Sequence, residues 1–222
     1  MIHFLEQPER TGIKICGVRT APQAEALIRL GVDALGINFW QESKRFLAPS
    51  DGQDWLPDLC YQTAVVGLFV NAGIKEVLGY FDRELFGIAQ LHGDESPAYC
   101  QELAAREIPF IKAFRVGDTT DMGDLDSYAT DYLLLDAVQD GYGGGGVAFD
   151  WRLARKVIGK HPDKRFLLAG GIGPENVAEA IRVARPAAVD IASGVESSPG
   201  VKDMKHVKAL IASVRETDAE LG

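Results

Sequence analysis

Cysteine is scarce in this chain, and the three that occur do not form a recognisable framework. Cys16, Cys60 and Cys100 are odd in number and lack the CxxC or Cys/His spacing of a zinc site. The pattern therefore argues against a disulfide-rich fold and a structural zinc site, and it favours a reducing compartment.

Long apolar runs and an excess of positive charge are also lacking. No stretch approaches the length of a membrane span, and residues 1–10 carry acidic side chains but no apolar signal-peptide core. The formal net charge of −9 argues against a nucleic-acid or anionic-membrane partner, since either would favour Lys and Arg. We therefore expect a cytoplasmic globular protein that binds neither nucleic acid nor membrane.

The chain does contain enough apolar side chains for one sizeable core. It has 222 residues, of which 46% are hydrophobic, and this length is slightly under the usual size of a complete eightfold α/β barrel. No linker, low-complexity segment or charge block divides it. We predict a short arm over residues 1–10 and a single catalytic domain over residues 11–222.

Eight short apolar runs alternate with helical or loop-like connections. The runs cover residues 13–16, 34–39, 64–70, 86–91, 109–113, 132–136, 165–169 and 188–191. Each is apolar almost throughout, as expected for a strand covered on both faces of a parallel sheet. Helical spacing marks residues 74–81, 177–184 and 204–214, whereas residues 48–60 and 119–129 predict short or distorted helices. The count of eight favours a (β/α)8 TIM barrel, with an open doubly wound sheet as the alternative.

Two of the runs end in side chains suited to acid–base chemistry. In such barrels the reacting groups lie at the carboxyl ends of the strands and in the loops that follow. Cys16 ends the first run and Asp136 ends the sixth. A thiol there becomes a base if nearby positive charge lowers its pKa, and a carboxyl group becomes a general acid if burial raises its pKa. A small buried hydrophobe at Cys16 and a loop cap at Asp136 are the structural alternatives.

Glycines follow three consecutive runs. Gly143–Gly146 comes after the sixth run, Gly170-Gly171 after the seventh and Ser193-Gly194 after the eighth. Glycines allow backbone N–H groups to converge on an anion, and the loops after strands seven and eight often form a phosphate site. The convergence predicts phosphate binding, although a run of glycines also suits a merely flexible loop.

Two further polar residues follow strand ends. Arg45, after the second run, could hold a carboxylate with its bidentate fork, or could be a solvated surface residue. His92, after the fourth run, could hold a ligand or make a structural hydrogen bond. Cys60 and Cys100 lie away from the strand ends, so we interpret both as structural.

Taken together, the motifs resemble those of the phosphoribosylanthranilate isomerase family. The similarity covers nearly everything after the N-terminal arm. It rests on KICGVRT at 14–20, GINFWQESKRFL at 36–47, VGLFVN at 66–71, AQLHGDE at 89–95, LLLD at 133–136, GYGGGGVAFDW at 141–151, AGGIGPENV at 169–177 and VDIASGVESSPGVKD at 189–203. Any one motif is weak evidence, but eight in the family's order are highly specific.

The resemblance implies an Amadori rearrangement in tryptophan biosynthesis. The substrate would be N-(5-phosphoribosyl)anthranilate and the product 1-(2-carboxyphenylamino)-1-deoxyribulose 5-phosphate, formed without metal or organic cofactor. The matched positions imply Cys16 as general base and Asp136 as general acid. The chain would act as a monomer or a homodimer.

The same matching assigns the groups that hold the substrate. Arg45 would bind the anthranilate carboxylate, and His92 of the QLHG motif would also lie at the substrate. The expected phosphate site comprises Gly145, Gly146, Gly170, Gly171, Ser193 and Gly194. Ala192 and Gly145 stand where the family commonly has hydroxylated residues, which puts one phosphate hydrogen bond at each in doubt.

Other functions remain as alternatives. An imidazole-pathway isomerase would want an aspartate in place of Cys16, and an indole-glycerol-phosphate synthase would want a lysine-rich mouth. A catalytically silent barrel that binds a phosphorylated ligand would have lost the acid or the base, yet Cys16 and Asp136 are both present.

Overall fold

Eight parallel strands form a closed barrel in the computed structural model, which describes residues 2–116, 123–137 and 150–222. Each strand pairs with the next in sequence, and the eighth pairs with the first. The strands are β1 (Gly12–Cys16), β2 (Ala34–Asn38), β3 (Ala64–Phe69), β4 (Ile88–Leu91), β5 (Phe110–Val116), β6 (Tyr132–Ala137), β7 (Arg165–Leu168) and β8 (Ala188–Ile191). The predicted (β/α)8 barrel is confirmed, and the doubly wound alternative is excluded.

Helices occupy most of the connections between the strands. They are α1 (Ala21–Arg29), α2 (Pro49–Gly52), α3 (Leu56–Cys60), α4 (Ile74–Phe81), α5 (Pro97–Ala104), α6 (Trp151–Lys160), α7 (Val177–Ala184) and α8 (Met204–Leu221), with 3-10 turns at His3–Leu5, Leu125–Tyr128 and Ser193–Val195. In the part of the chain that the structure describes, no helix has the length and apolar character to cross a membrane.

The predicted helices are found where the apolar spacing placed them. Residues 74–81 and 177–184 are helical from end to end, and residues 48–60 form two short helices as expected. Part of the 119–129 segment lies outside the described residues, and its remainder contains a 3-10 turn. An antiparallel hairpin of β9 (Glu196–Ser198) and β10 (Val201–Lys202) follows β8 and was not anticipated.

Continuous apolar strands follow from burial on both sides of the barrel wall. In β3, Val65 and Phe69 pack in the layer between the strands and the helices, whereas Val66 packs inside the barrel against residues such as Leu134. Since both faces are dry, the sequence shows no alternation of polar and apolar residues. Polar side chains within a strand are therefore informative exceptions.

The N-terminal residues fill the amino end of the barrel. Ile2, Phe4 and Leu5 are buried and belong to the interior cluster that includes Ala34 and Ala188. Ala34 and Ala188 are the first residues of β2 and β8, so this part of the cluster lies at the end of the barrel away from the strand termini that carry Cys16 and Asp136. The N-terminal residues therefore fill the barrel interior at its amino end.

An aromatic cluster between the barrel wall and the helices provides a test of core packing. Phe86 is 2% exposed and contacts Phe39, Phe69 and Phe81 with ring centroids 5.2 to 6.3 Å apart. Phe86→Ala should lower the free energy of unfolding by about 3–5 kcal/mol because it leaves a cavity. Urea denaturation measures the loss. Tyr61→Ala, at a residue 77% exposed, is the control and should cost about 0.5 kcal/mol or less; equal losses would contradict the assignment.

Candidate active site

A cavity opens at the carboxyl ends of the strands. Its lining includes Cys16, Arg45, His92, Asp136, Gly170, Gly171 and Ser193 among the predicted site residues. Gly194 is the next residue in the chain after Ser193, and the predicted Gly145 and Gly146 lie outside the described residues. The structure therefore gathers the described part of the predicted site around one cavity.

Cys16 fits at the end of β1 because its neighbour on β2 has no side chain. The parallel register places Cys16 against Gly36, and a Cβ atom at Gly36 would lie 2.7 Å from the Cys16 Sγ. Cys16 as a whole is 6% exposed. Gly36 therefore makes the space for the thiol, a role that the sequence motif alone did not reveal.

A buried ion pair lies one interior position below Cys16. Lys14 and Asp190 are register partners on β1 and β8, and Lys14 Nζ donates to Asp190 Oδ2 at 2.7 Å. The Asp190 side chain is 7% exposed and lines the cavity, and Oδ1 has no hydrogen-bond partner among the described residues. Neither residue is among those predicted from the sequence, although a charged side chain inside an apolar strand is a signal that could have indicated them.

Opposing effects act on the ionisation of Cys16. Burial disfavours the thiolate and raises the pKa of the Cys16 thiol above its ordinary value. The positive charge of Lys14 works in the opposite direction, as do Lys202 and Arg45, whereas Asp190 adds to the rise. A thiolate here is a stronger base than an exposed one, and it depends on its cationic neighbours to form.

Arg45 is locked in place by the hairpin after β8. Its Nε and Nη2 atoms donate to the two carboxylate oxygens of Glu196 at 2.9 and 2.7 Å. Lys202 Nζ also donates to Glu196, at 2.7 Å. Burial favours the neutral acid, but the hydrogen bonds from Arg45 and Lys202 outweigh it and hold the pKa of Glu196 below its ordinary value. Arg45 is therefore not a solvated surface residue; its Nη1 has no acceptor among the described residues.

Asn38 organises the loop that carries Arg45. Its Nδ2 donates to Ser43 Oγ at 3.0 Å, and its Oδ1 accepts from the Trp40 amide at 2.9 Å. Ser43 Oγ in turn accepts from the Arg45 amide at 3.1 Å. This network accounts for a polar residue at the end of an otherwise apolar strand.

His92 connects Gln90 with Asp136. Gln90 Nε2 donates to His92 Nδ1 at 2.9 Å, so the neutral imidazole carries its proton on Nε2. His92 Nε2 lies 3.2 Å from Asp136 Oδ2, and the Asp136 Oδ1 accepts from the Ala137 amide at 2.8 Å. His92 thus contacts the predicted acid directly and fixes the direction of its carboxyl group.

The glycine loops after β7 and β8 touch each other beside the acid. Gly170 and Gly171 have φ values of +84° and +64°, and a Cβ atom at Gly170 would lie 2.8 Å from Asp136 Oδ1. A Cβ atom at Gly194 would collide with the carbonyl oxygen of Ile172. Glycine is therefore required for the backbone to approach the cavity this closely.

A closed parallel barrel with a thiol and a carboxyl group at its carboxyl end defines a (β/α)8-barrel enzyme. Comparison with known families identifies which one. The model of N-(5'phosphoribosyl)anthranilate (PRA) isomerase matches residues 13–213. The chain belongs to this family and is accordingly an isomerase.

Individual relatives agree with this assignment. The N-(5'-phosphoribosyl)anthranilate isomerase of Herminiimonas arsenicoxydans is 40% identical over 96% of both chains. A crystal structure of phosphoribosyl anthranilate isomerase from Thermotoga maritima superimposes with a TM-score of 0.83 at 36% identity, covering 93% of this chain and 99% of that one. Another, in complex with reduced 1-(o-carboxyphenylamino)-1-deoxyribulose 5-phosphate, has a TM-score of 0.80 at 34% identity with the same coverage.

Gly36 allows the geometry of the thiol to be tested without altering the thiol. Gly36→Ala places a methyl group against Cys16 Sγ, so we expect isomerase turnover to fall by about 10²-fold through displacement of the thiol. Gly79→Ala is the matched control, since a Cβ atom there meets nothing within 4 Å. Steady-state assays of both variants measure the effect, and full activity of Gly36→Ala would contradict the predicted crowding.

Proposed function

We propose that the chain converts N-(5-phosphoribosyl)anthranilate to 1-(2-carboxyphenylamino)-1-deoxyribulose 5-phosphate, with Cys16 as general base and Asp136 as general acid. The observation that carries the roles is that both side chains line one cavity at the carboxyl end of the barrel. Family membership supplies the reaction, and the positions of the two groups suit its two proton transfers.

The rearrangement begins at the ring oxygen of the sugar. Asp136 gives its proton to the furanose oxygen while the bond from that oxygen to C1′ breaks, which leaves a protonated Schiff base. Cys16 then removes the proton from C2′, and the electron pair of that bond forms the enolamine. Tautomerisation gives the ketone, so atoms and charge balance over the reaction. The amide of Ala137 and the ring of His92 hold the Asp136 carboxyl group in position.

The two ends of the substrate carry anions that require different partners. We assign the phosphate to Gly170, Gly171 and the Ser193-Gly194 turn, where glycine lets backbone N–H groups approach. Gly145 and Gly146 remain in this proposal, although they lie outside the described residues. Arg45 binds the anthranilate carboxylate through Nη1, because its other edge is engaged by Glu196.

The remaining expectations complete the proposal. The catalytic domain spans residues 11–222, with residues 1–10 as a short arm of which Ile2, Phe4 and Leu5 are buried. The steps above use only side chains of this chain and require no metal or organic cofactor. We place the enzyme in the cytoplasm as a monomer or homodimer without a nucleic-acid or membrane partner.

Removal of the acid or the base tests the assigned roles. Cys16→Ala and Asp136→Asn should each lower turnover by about 10²–10⁴-fold, as expected when a general base or acid is lost. The assay follows the fluorescence change as freshly made substrate is consumed. Cys100→Ala, at a buried cysteine in α5, and Asp131→Asn, at the opposite end of β6, are the controls. Near-wild-type turnover in either active-site variant would remove that residue from the mechanism.

Arg45 can be tested by deleting its proposed partner from the substrate. Arg45→Met should raise KM by about 10- to 100-fold, because a hydrogen-bonded charge pair with the substrate is lost. The N-phosphoribosyl derivative of aniline lacks the carboxylate, so Arg45→Met should change its KM far less. Arg29→Met, at an exposed arginine on α1, is the control. Equal losses with both substrates would assign Arg45 a structural role only.

A further inference from the structure

The buried ion pair beneath Cys16 has no part in the steps described above. Lys14 is fully buried, and Asp190 is nearly so. An ion pair of this kind is weak evidence for stability, because desolvation offsets most of the attraction and apolar pairs of similar volume often serve as well. Just below it the barrel interior is already apolar, with Ala34, Ala188 and Leu167 in one cluster. A role in the reaction is therefore the better explanation of the charge.

Strand geometry brings the charge of Lys14 to the thiol. Lys14 and Cys16 are two residues apart on β1, so both side chains point into the barrel. Asp190 faces Lys14 across the register of β1 and β8. Because no water reaches the Lys14 ammonium, its field on the thiol is only weakly screened.

The side chains around Cys16 carry more positive than negative charge when its thiol is neutral. Lys14, Lys202 and Arg45 face two carboxylates, those of Asp190 and Glu196. Lys202 is an ammonium group, since its Nζ donates to three acceptors: the carbonyl oxygens of residues 16 and 192, at 2.5 and 3.2 Å, and Glu196 at 2.7 Å. One positive charge is left over, and a thiolate at Cys16 would neutralise the cluster.

We propose that Lys14 is a positioning residue for the isomerisation, whose buried ammonium group stabilises the thiolate form of Cys16, with Asp190 as the counter-ion that keeps Lys14 charged. This inference rests on the proposed function, because Cys16 must be a thiolate to act as the general base. Lys14 acts through Cys16 and does not itself transfer a proton to or from the substrate.

The sign of the pH dependence follows from the groups that face Cys16. Burial raises the pKa of the thiol, and Lys14, Lys202 and Arg45 act against that rise, while Asp190 adds to it. Lys14→Met removes one of the opposing charges, so the pKa of Cys16 should rise further. The active form of a base is the deprotonated one, and the acid limb of the kcat/KM profile should move to higher pH.

Alkylation of Cys16 measures this ionisation independently of turnover. The intact protein is treated with iodoacetamide over a range of pH, and the rate at each cysteine is read by peptide mass spectrometry. Lys14→Met should slow alkylation of Cys16 about tenfold or more at neutral pH, equivalent to one pKa unit. Lys14→Gln removes the same positive charge but keeps an amide that can donate to Asp190, and it should shift the Cys16 profile in the same direction as Lys14→Met.

Cys60 supplies an internal control in every sample. Its pKa is raised to about 11 by burial and by Glu84, and no group of the Lys14 cluster contributes to it. Its alkylation profile should be the same in all variants. A folded Lys14→Met protein with an unchanged Cys16 profile would overturn the proposal. If Lys14→Met does not fold, Lys14→Gln decides, and an unchanged or downward-shifted Cys16 profile in that variant would overturn the proposal.

Failure of this inference can be told apart from failure of the proposed function. Cys16→Ala with near-wild-type turnover would end the role of Cys16 as base, while the alkylation shifts would still establish that Lys14 controls the thiol. Conversely, an inactive Cys16→Ala protein combined with an unshifted Lys14→Met profile would leave the base in place and remove Lys14.

Discussion

The pairing of β8 with β1, which we call the seam of the barrel, determines which residues surround Cys16 at the carboxyl end of the strands. When β8 pairs with β1, Gly12 lies against Ala188 and Lys14 against Asp190, and the chain then turns back through the β9–β10 hairpin. Lys202 of that hairpin donates to the Cys16 carbonyl oxygen. The thiol is consequently placed by contacts between segments that are remote in sequence, and the barrel must close before any of them can form.

On the side of the cavity that carries Asp136, hydrogen bonds between residues at the ends of β4 and β6 hold the side chains in place. Gln90 and His92 are neighbours on one side of β4 and its following turn, and they reach Asp136 on β6 through a chain of two hydrogen bonds. No ion pair with a buried lysine occurs there among the described contacts of Asp136. Cys16 is thus surrounded by charged side chains, whereas the described contacts of Asp136 are the His92 ring and the Ala137 amide.

Most of the fold could be predicted because strands that are buried on both faces of the barrel wall appear in the sequence as uninterrupted apolar runs. The β3 run over residues 64–70 is apolar without interruption, and it became a strand of nearly the same length. The helix over residues 74–81 was equally clear from its spacing. The β9–β10 hairpin was missed because its strands are three and two residues long, too short for a periodic signal.

The site could be predicted only in part. Cys16 and Asp136 were recognisable because they end apolar strands. The partners of Arg45 were not, since Glu196 lies 151 residues away and no local pattern connects the two. Lys14 and Asp190 were visible as charges inside apolar runs, but their pairing depends on the register at the seam. Long-range register is the information that a single sequence does not display.

The seam also determines when, during synthesis, Cys16 acquires its charged neighbours. Cys16 leaves the ribosome well before Asp190, Glu196 and Lys202, which lie far later in the chain. Until they arrive, the thiol has no closed barrel around it and the lysine beneath it has no counter-ion. A nascent chain that stops before β8 therefore holds Cys16 and Asp136 but not their environment. The described cavity is complete only when β8 has closed the barrel and the β9–β10 hairpin lies beside Arg45.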